Sequence, residues 1–260
     1  MKNKLSKTGV QDGSGIRPKK WWFRLLKTIG KLRYKKTDFY YLGEEISNGG
    51  IVLANHEGTH SPLAFEIYGN KPIRFWGAYQ MNSGLKELYL YMTKVYFHEK
   101  KHWSLFRARF SCLVLSPLTN LFYKGLELIS TYPDLRFKST VRESIDAIKD
   151  GYNIVIFPEL SNGGYKKRLE GFHAGVLLFA ERAYAEGLDL PVFVAYFNKK
   201  NRVCLVDAPV RYSQLKATGL SRDRLAGKLC ERCNELGEMT YDKNFKELFS
   251  KAKDRLENVC

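Results

Sequence analysis

The segment Ile51-Val52-Leu53-Ala54-Asn55-His56-Glu57-Gly58-Thr59-His60-Ser61-Pro62 decides the fold. Its four leading apolar residues predict a short buried strand. A polar loop with two histidines follows. Ser61 fits a helix N-cap and Pro62 the first helical position, ahead of an apolar run from Leu63 to Tyr68. Strand, polar loop and helix form the repeating unit of α/β proteins, which place their chemistry in that loop.

The unit recurs downstream. Thr140 and Glu143 have capping-box spacing, Val141, Ile145 and Ile148 make an apolar face, and Gly151 is a stop signal. Residues 153–157 predict a strand ended by Pro158. A polar loop through Ser161, Asn162, Gly163 and Gly164 leads into Tyr165-Lys166-Lys167-Arg168. Residues 174–186 predict a helix closed by Gly187, and residues 191–197 and 203–206 predict strands. Ser221 is placed to cap a helix through Leu236, and a last amphipathic helix covers residues 244–256. Upstream, residues 39–42 read as an edge strand, Asn48-Gly49-Gly50 as a turn, and residues 73–76 as a strand. The expected fold class is therefore α/β, with a mixed or mostly parallel central sheet flanked by helices.

Residues 1–18 read as a loose polar tail, and residues 19–36 predict an amphipathic basic helix. Trp22, Leu25, Leu26, Ile29 and Leu32 share one face, with Lys20, Arg24, Lys27, Lys31 and Lys35 largely opposite. Such a helix suits an anionic bilayer surface, with Trp at headgroup depth and lysine stems snorkelling. The alternative is a surface helix packed on its own domain. The division expected is 1–36, a basic tail and membrane-surface helix, and 37–260, the α/β domain.

The 43 Lys and Arg outnumber the 27 Asp and Glu and give the 260-residue chain a formal charge of +16, which favours an anionic partner. Nucleic acid is not expected, because no recognition-helix, finger or RNA-binding signature accompanies the charge. Aromatic residues at 14% exclude a disordered chain. Cys112, Cys204, Cys230, Cys233 and Cys260 form no disulfide framework, and the lone Cys230–Cys233 CxxC lacks a second pair for zinc. A reducing compartment is favoured. No secretory signal is visible. The longest uncharged stretch, residues 110–123, contains Pro117 and falls short of the roughly 20 residues that a spanning helix needs. Residues 85–123 are aromatic, basic and poorly periodic, with a polar break at 97–103. They read as two helices in an apolar hairpin, suited to a lipid-facing lid, an acyl-chain groove or ordinary core. His98 and His102 stand four apart without a third metal ligand.

Residues 56–60 also spell HExxH. Zinc hydrolysis by that string needs both histidines on one helical face. Here the string follows directly on a strand, Gly58 weakens a helix, and the expected helix starts only at Ser61, so no metal site is expected. In the second loop, Glu159 follows a strand end and is placed to orient a histidine or a hydroxyl, or to pair with Lys166 or Lys167.

Asn55-His56, Phe157-Pro158-Glu159, Phe172-His173-Ala174-Gly175 and Leu190-Pro191-Val192 resemble, in order, the blocks of the glycerolipid acyltransferase family, the lysophosphatidate acyltransferase group. The similar stretch covers about residues 39–210. The resemblance implies that His56 is a general base, taking the proton of a glycerol hydroxyl that attacks the thioester of acyl-CoA or acyl carrier protein. It implies that Glu159 helps build the glycerol phosphate site, with Ser161, Asn162 and Lys166 nearby. It assigns the family's middle-block arginine to Arg136, with Arg142 as alternate, and it implies no cofactor or metal. Two departures stand out. The family has Asp where this chain has Ser61, and it continues the FPE block with Gly-Thr-Arg-Ser where this chain has Leu160-Ser161-Asn162-Gly163. Ser61 keeps a cap but supplies no charge to hold the imidazole; in a serine protease, neutralising the comparable Asp costs about 10⁴ in kcat. Glu57, His60 and Ser61 are the orienting or oxyanion candidates, with Glu66 as a more remote carboxylate. Lys166, Lys167 and Arg168 are the cations placed to replace the missing loop arginine.

The expectation is thus a peripheral acyltransferase on the cytoplasmic face of a membrane. Its acceptor would be a lysophospholipid or glycerol phosphate. The alternative is a catalytically weak or inactive protein on the same scaffold that binds phospholipid or acyl chains.

Overall fold

The computed structural model describes residues 15–160, 164–242, 244, 245 and 249. Its elements run in chain order as α1 (Trp21–Arg33), β1 (Asp38–Tyr41), β2 (Ile51–Ala54), α2 (His60–Tyr68), β3 (Ile73–Ala78), α3 (Leu85–Tyr91) and α4 (Leu105–Leu126). They continue as β4 (Ile129–Thr131), α5 (Phe137–Lys149), β5 (Asn153–Ile156), α6 (Gly175–Ala185), β6 (Pro191–Asn198), β7 (Val203–Val206), β8 (Val210–Arg211), α7 (Tyr212–Ala217) and α8 (Arg222–Thr240). A π-helix, Met92–Lys100, continues α3.

The strands form one mixed, mostly parallel sheet in the order β1-β7-β6-β2-β5-β3-β4, with β8 beside β6. β2 lies between β5 and β6 and is parallel to both. β3 and β4 extend the parallel part, while β7 pairs antiparallel to β6 and carries β1 on its outer edge. β2, β5, β6 and β7 are buried along their whole length. Sheets covered by helices on both faces read as continuous apolar runs for this reason.

Alternation along β2 divides the core in two. Ile51 and Leu53 join the cluster built with α5, α6 and α8. Val52 and Ala54 join Phe23 of α1, Phe65 of α2 and Leu126 of α4 on the other face. α1 therefore shares the core of the α/β domain. Phe23 is fully buried, and a Cβ at Gly125 would stand 2.0 Å from its ring, so only glycine lets α1 approach α4 this closely. Lys19 secures the same junction by donating to the carbonyls of Gly125 and Leu126 at 3.2 and 2.9 Å, capping the end of α4.

The two faces expected of the basic helix are arranged differently. Trp22 and Leu26 are half-buried and Phe23 faces inward, while Trp21, Leu25, Ile29 and Leu32 form the outward stripe. α4 presents a matching stripe: Phe106, Phe110, Leu113, Val114, Leu118 and Leu121 are exposed, and Ala108, Cys112 and Ser116 face inward. These spacings of three and four mark one side of each helix. No helix among the described residues is long and apolar enough to cross a membrane.

Several local expectations need correction. α2 starts at His60 with Thr59 as N-cap, so Ser61 is not the cap. The positive φ of Glu57 and Gly58, 45° and 67°, folds the loop back early enough to start the helix two residues ahead. Pro62 still fits, because the first-turn N–H that it lacks has no helical acceptor. Thr140 and Glu143 form no capping box, since α5 already starts at Phe137 after a turn held by Asp134, which accepts from the Arg136 N–H. Thr140 instead donates to the Ser130 carbonyl, and Glu143 pairs with Arg74 at 2.6 Å. Pro117 sits inside α4, and the break of the hairpin falls at residues 101–104, because the π-helix carries the chain through His98 and Lys100. β4, α7 and β8 have no counterpart in the sequence reading. The helix expected at 244–256 and Cys260 lie largely or wholly outside the described residues.

Candidate active site

Register builds the site. Leu53 pairs with Ile156 across β2 and β5, so His56 and Glu159, each three residues further on, emerge side by side at the carboxyl ends of parallel strands. The His56 backbone N–H donates to Glu159 Oε1 at 2.5 Å, joining the two loops. Asn55 joins the first loop to β6: its Nδ2 donates to the Phe197 carbonyl at 3.0 Å, and its Oδ1 accepts from the Phe197 N–H at 2.6 Å. Asn55 is almost fully buried and replaces the sheet hydrogen bonds that end with β2. Asn55→Ala leaves a buried N–H and a buried carbonyl unpaired. Its expected cost is about 2–4 kcal/mol of unfolding free energy, measured by urea denaturation.

The second loop is also fixed. Glu159 bridges Phe172, Leu160 N–H donates to Gly171, and His173 N–H donates to the Pro158 carbonyl. The Tyr165 ring, carried by this loop, stacks on His56 with centroids 5.0 Å apart, while Phe157 flanks the imidazole at 4.9 Å. Lys100 and Lys101, at the end of the π-helix, stand 5.3 and 5.7 Å from the centre of the Tyr165 ring. π-Helical turns recur at functional sites. Gly58 leaves space here: a Cβ on it would lie 3.7 Å from Lys101 Nζ and 3.8 Å from Tyr165.

The electrostatics follow from this packing. His56 is half-buried as a residue, but its Nδ1 is enclosed and has no hydrogen-bond partner among the described residues. Burial first, then the Lys100 ammonium, lower its pKa from 6.5 to about 4. Burial raises Glu159 from 4.5 to about 7 against the opposing His56 N–H hydrogen bond, with Glu57 adding to the rise. Both side chains are neutral between those values. Stability responds in opposite senses. The depressed histidine gives stability that is lost as pH falls from 6.5 to 4. The raised carboxyl gives stability that is lost as pH rises from 4.5 to 7. Glu159→Gln removes the second contribution alone. Its unfolding free energy relative to wild type should therefore rise by about 3 kcal/mol between pH 4.5 and 7 in denaturant titrations.

The other sequence candidates disperse. Glu57 lies in the loop in a left-handed conformation. His60 stands at the start of α2 and packs edge-on against Tyr34 at 6.0 Å. Because His56 lies before the helix and His60 at its first residue, they do not share the helical face that the zinc reading needs. Ser61 is fully enclosed, and its Oγ has no partner among the described residues. Glu66 pairs with Lys27 of α1 at 2.9 Å. Arg136 is exposed, paired with Asp134 at 2.7 Å and set over Tyr79 and Tyr132. Its helix follows β4, three strands from β2 and so roughly 14 Å away by strand spacing. Arg142 is exposed on α5. Lys166 turns outward to Glu170, and Arg168 to Glu231 and Glu238. Ser161 and Asn162 lie outside the described residues.

Lys100, Lys101 and Tyr165 flank this site without having been singled out for it. Lys100 and Lys101 fall in the stretch read as a polar break, and Tyr165 at the head of a run read for its charge. Only the tertiary fold brings them to His56. Compared with known protein families and with curated protein sequences, the chain matches none.

Proposed function

We propose that the chain is a divergent glycerolipid acyltransferase, peripheral to the cytoplasmic face of a membrane. It moves an acyl group from acyl-CoA or acyl carrier protein to the hydroxyl of a lysophospholipid or glycerol phosphate. The observation that carries this reading is the position of the enclosed His56 imidazole at the carboxyl ends of β2 and β5, its backbone N–H bonded to Glu159 and its ring stacked on Tyr165. His56 accepts the hydroxyl proton as the oxygen attacks the thioester carbon. The C–S bond then breaks, and the thiolate leaves with the proton returned by the imidazolium. Lys100 and Lys101 supply the positive field for the oxyanion or for the acceptor phosphate. Arg136 stays with Asp134 and has no part in this scheme.

Ser61 favours a second reading, a lipid-binding protein without turnover. Its enclosed hydroxyl brings no charge to the imidazole where the resembling family has a carboxylate. One assay separates the two: transfer of labelled acyl groups from both donors to a panel of lysophospholipids and glycerol phosphates on anionic vesicles. Turnover well above that of His56→Ala is the expected result. Equal turnover, with both proteins folded and vesicle-bound, refutes the enzyme and leaves the binding protein.

A further inference from the structure

On the other side of the α2 start lies a cleft of about 350 Å³ lined by Arg33, Tyr34, Lys35, His60, Lys199 and Arg202. Four of the six lining residues are permanent cations, and none is a carboxylate. The carboxylate closest to Lys35 in sequence, Asp38, faces Lys36 at 3.3 Å and is not part of the lining. Two separate segments supply the charge, the end of α1 and the β6–β7 turn, and the start of α2 adds His60. Two enclosed polar atoms at this cleft, His60 Nδ1 and Arg202 Nε, have no hydrogen-bond partner among the described residues.

Arg202 is built into the cleft with some care. Its backbone is left-handed at φ 56°, its Nη2 donates to the Lys35 carbonyl, and its guanidinium covers the Phe197 ring at 5.4 Å. A guanidinium so fixed has lost its freedom before any ligand arrives, which favours planar oxyanion recognition. Burial first, then Lys199 and Arg202, lower the pKa of His60. Like charges gathered in one lining cost stability, and an enclosed donor left unpaired costs more. A dianionic or monoanionic oxyanion relieves both costs at once.

We propose that this cleft is a binding site for a phosphate ester, separate from the His56 site. Arg202 and Lys199 grip the phosphate oxygens, Arg33 and Lys35 close the rim, and His60 lines the wall. Arg33 and Lys35 follow directly on the outward stripe of α1, which ends at the exposed Leu32, so the phosphate of a lipid headgroup can be reached while that stripe lies in a bilayer. A free phosphate monoester satisfies the same groups. The inference does not depend on acyl transfer.

The test uses the full chain and two arms. Calorimetric titration with inorganic phosphate and glycerol 3-phosphate reads the free ester. Sedimentation with phosphatidylcholine vesicles, with and without phosphatidate, reads the headgroup. Arg202→Gln and Lys199→Gln should each weaken binding by about tenfold in at least one arm, as expected for a lost charge-assisted contact. Loss in the first arm identifies a soluble ester, and loss in the phosphatidate arm alone identifies a lipid. Both support the site. Lys199 lies exposed in a turn, so its variant keeps the test open if Arg202→Gln fails to fold. Affinities unchanged in both arms overturn the proposal. So does an RNA oligomer whose binding falls in both variants while neither phosphate arm responds.

Discussion

His56→Ala will lower acyl transfer by about 10²–10⁴-fold, the range associated with losing a positioned general base. The loss should appear in kcat and kcat/KM together, because the proton moves only in the transition state. His56→Asn should fall as far. It retains polar bulk between Phe157 and Tyr165, so a matching loss separates chemistry from packing. The pH profile offers an independent check. An ordinary imidazole near 6.5 gives a rate that drops below that pH, whereas His56, held near 4 by burial and Lys100, should keep kcat/KM level down to about pH 5. An acid limb centred near 6.5 would assign the base elsewhere. A depressed pKa also makes a weaker base, so the rate should be modest compared with a histidine oriented by a carboxylate.

Replacing Trp21, Leu25, Phe106 and Phe110 together with Ser will release the protein from anionic vesicles by roughly 10⁴ in partition coefficient. Each exposed side chain that leaves water for the acyl boundary contributes about 1.5 kcal/mol, or about 6 kcal/mol for the four. The two stripes lie on neighbouring helices, joined where Phe23 meets Phe122 with ring centroids 5.4 Å apart. Lys20 at the N-cap of α1 and Arg24, Lys31 and Arg33 on it are exposed, so the apolar strip carries a cationic border suited to anionic headgroups. Vesicle flotation measures the effect, and denaturant unfolding should show little loss, because all four side chains already face solvent. Undiminished flotation would make the stripes irrelevant to membrane attachment. Release together with the loss of transfer to membrane-borne acceptors, but not to soluble glycerol phosphate, would tie the surface to access and not to chemistry.

The sheet was legible because its central strands carry continuous apolar runs between strong turn signals, as in residues 51–54 and 154–157. The short β4 and β8 were not, since strands of three and two residues carry no period to read. Helix starts were misplaced where a cap-like residue had another duty. Thr140 is tied to the Ser130 carbonyl, and Ser61 is enclosed in the first turn of α2. The placing of His56 and Glu159 in the loops after β2 and β5 could be read because each lies two or three residues beyond a strand end. Lys100, Lys101 and Tyr165 could not, because their meeting depends on how a π-helix and a loop cross in space. Arg136 shows the converse: a plausible residue type in a plausible order, carried to the sheet edge by the strand sequence.

The strand order also governs how the chain must come together in time. His56 waits for Glu159, which follows 103 residues later, and Asn55 waits for Phe197, 142 residues later. A nascent chain growing at roughly 5–20 residues per second therefore spends about 5–20 s with β2 unpaired before β5 is made, and about 7–30 s before β6 closes its other side. α1 is complete before that interval begins and α4 before β5 emerges, so both can shelter one side of the strand, while α5, α6 and α8 on the other side follow later. Contacts so distant in sequence make for slow folding. The loop that carries His56 is thus among the last parts to take shape, and a truncated product ending before β6 would lack the strand on which Asn55 anchors.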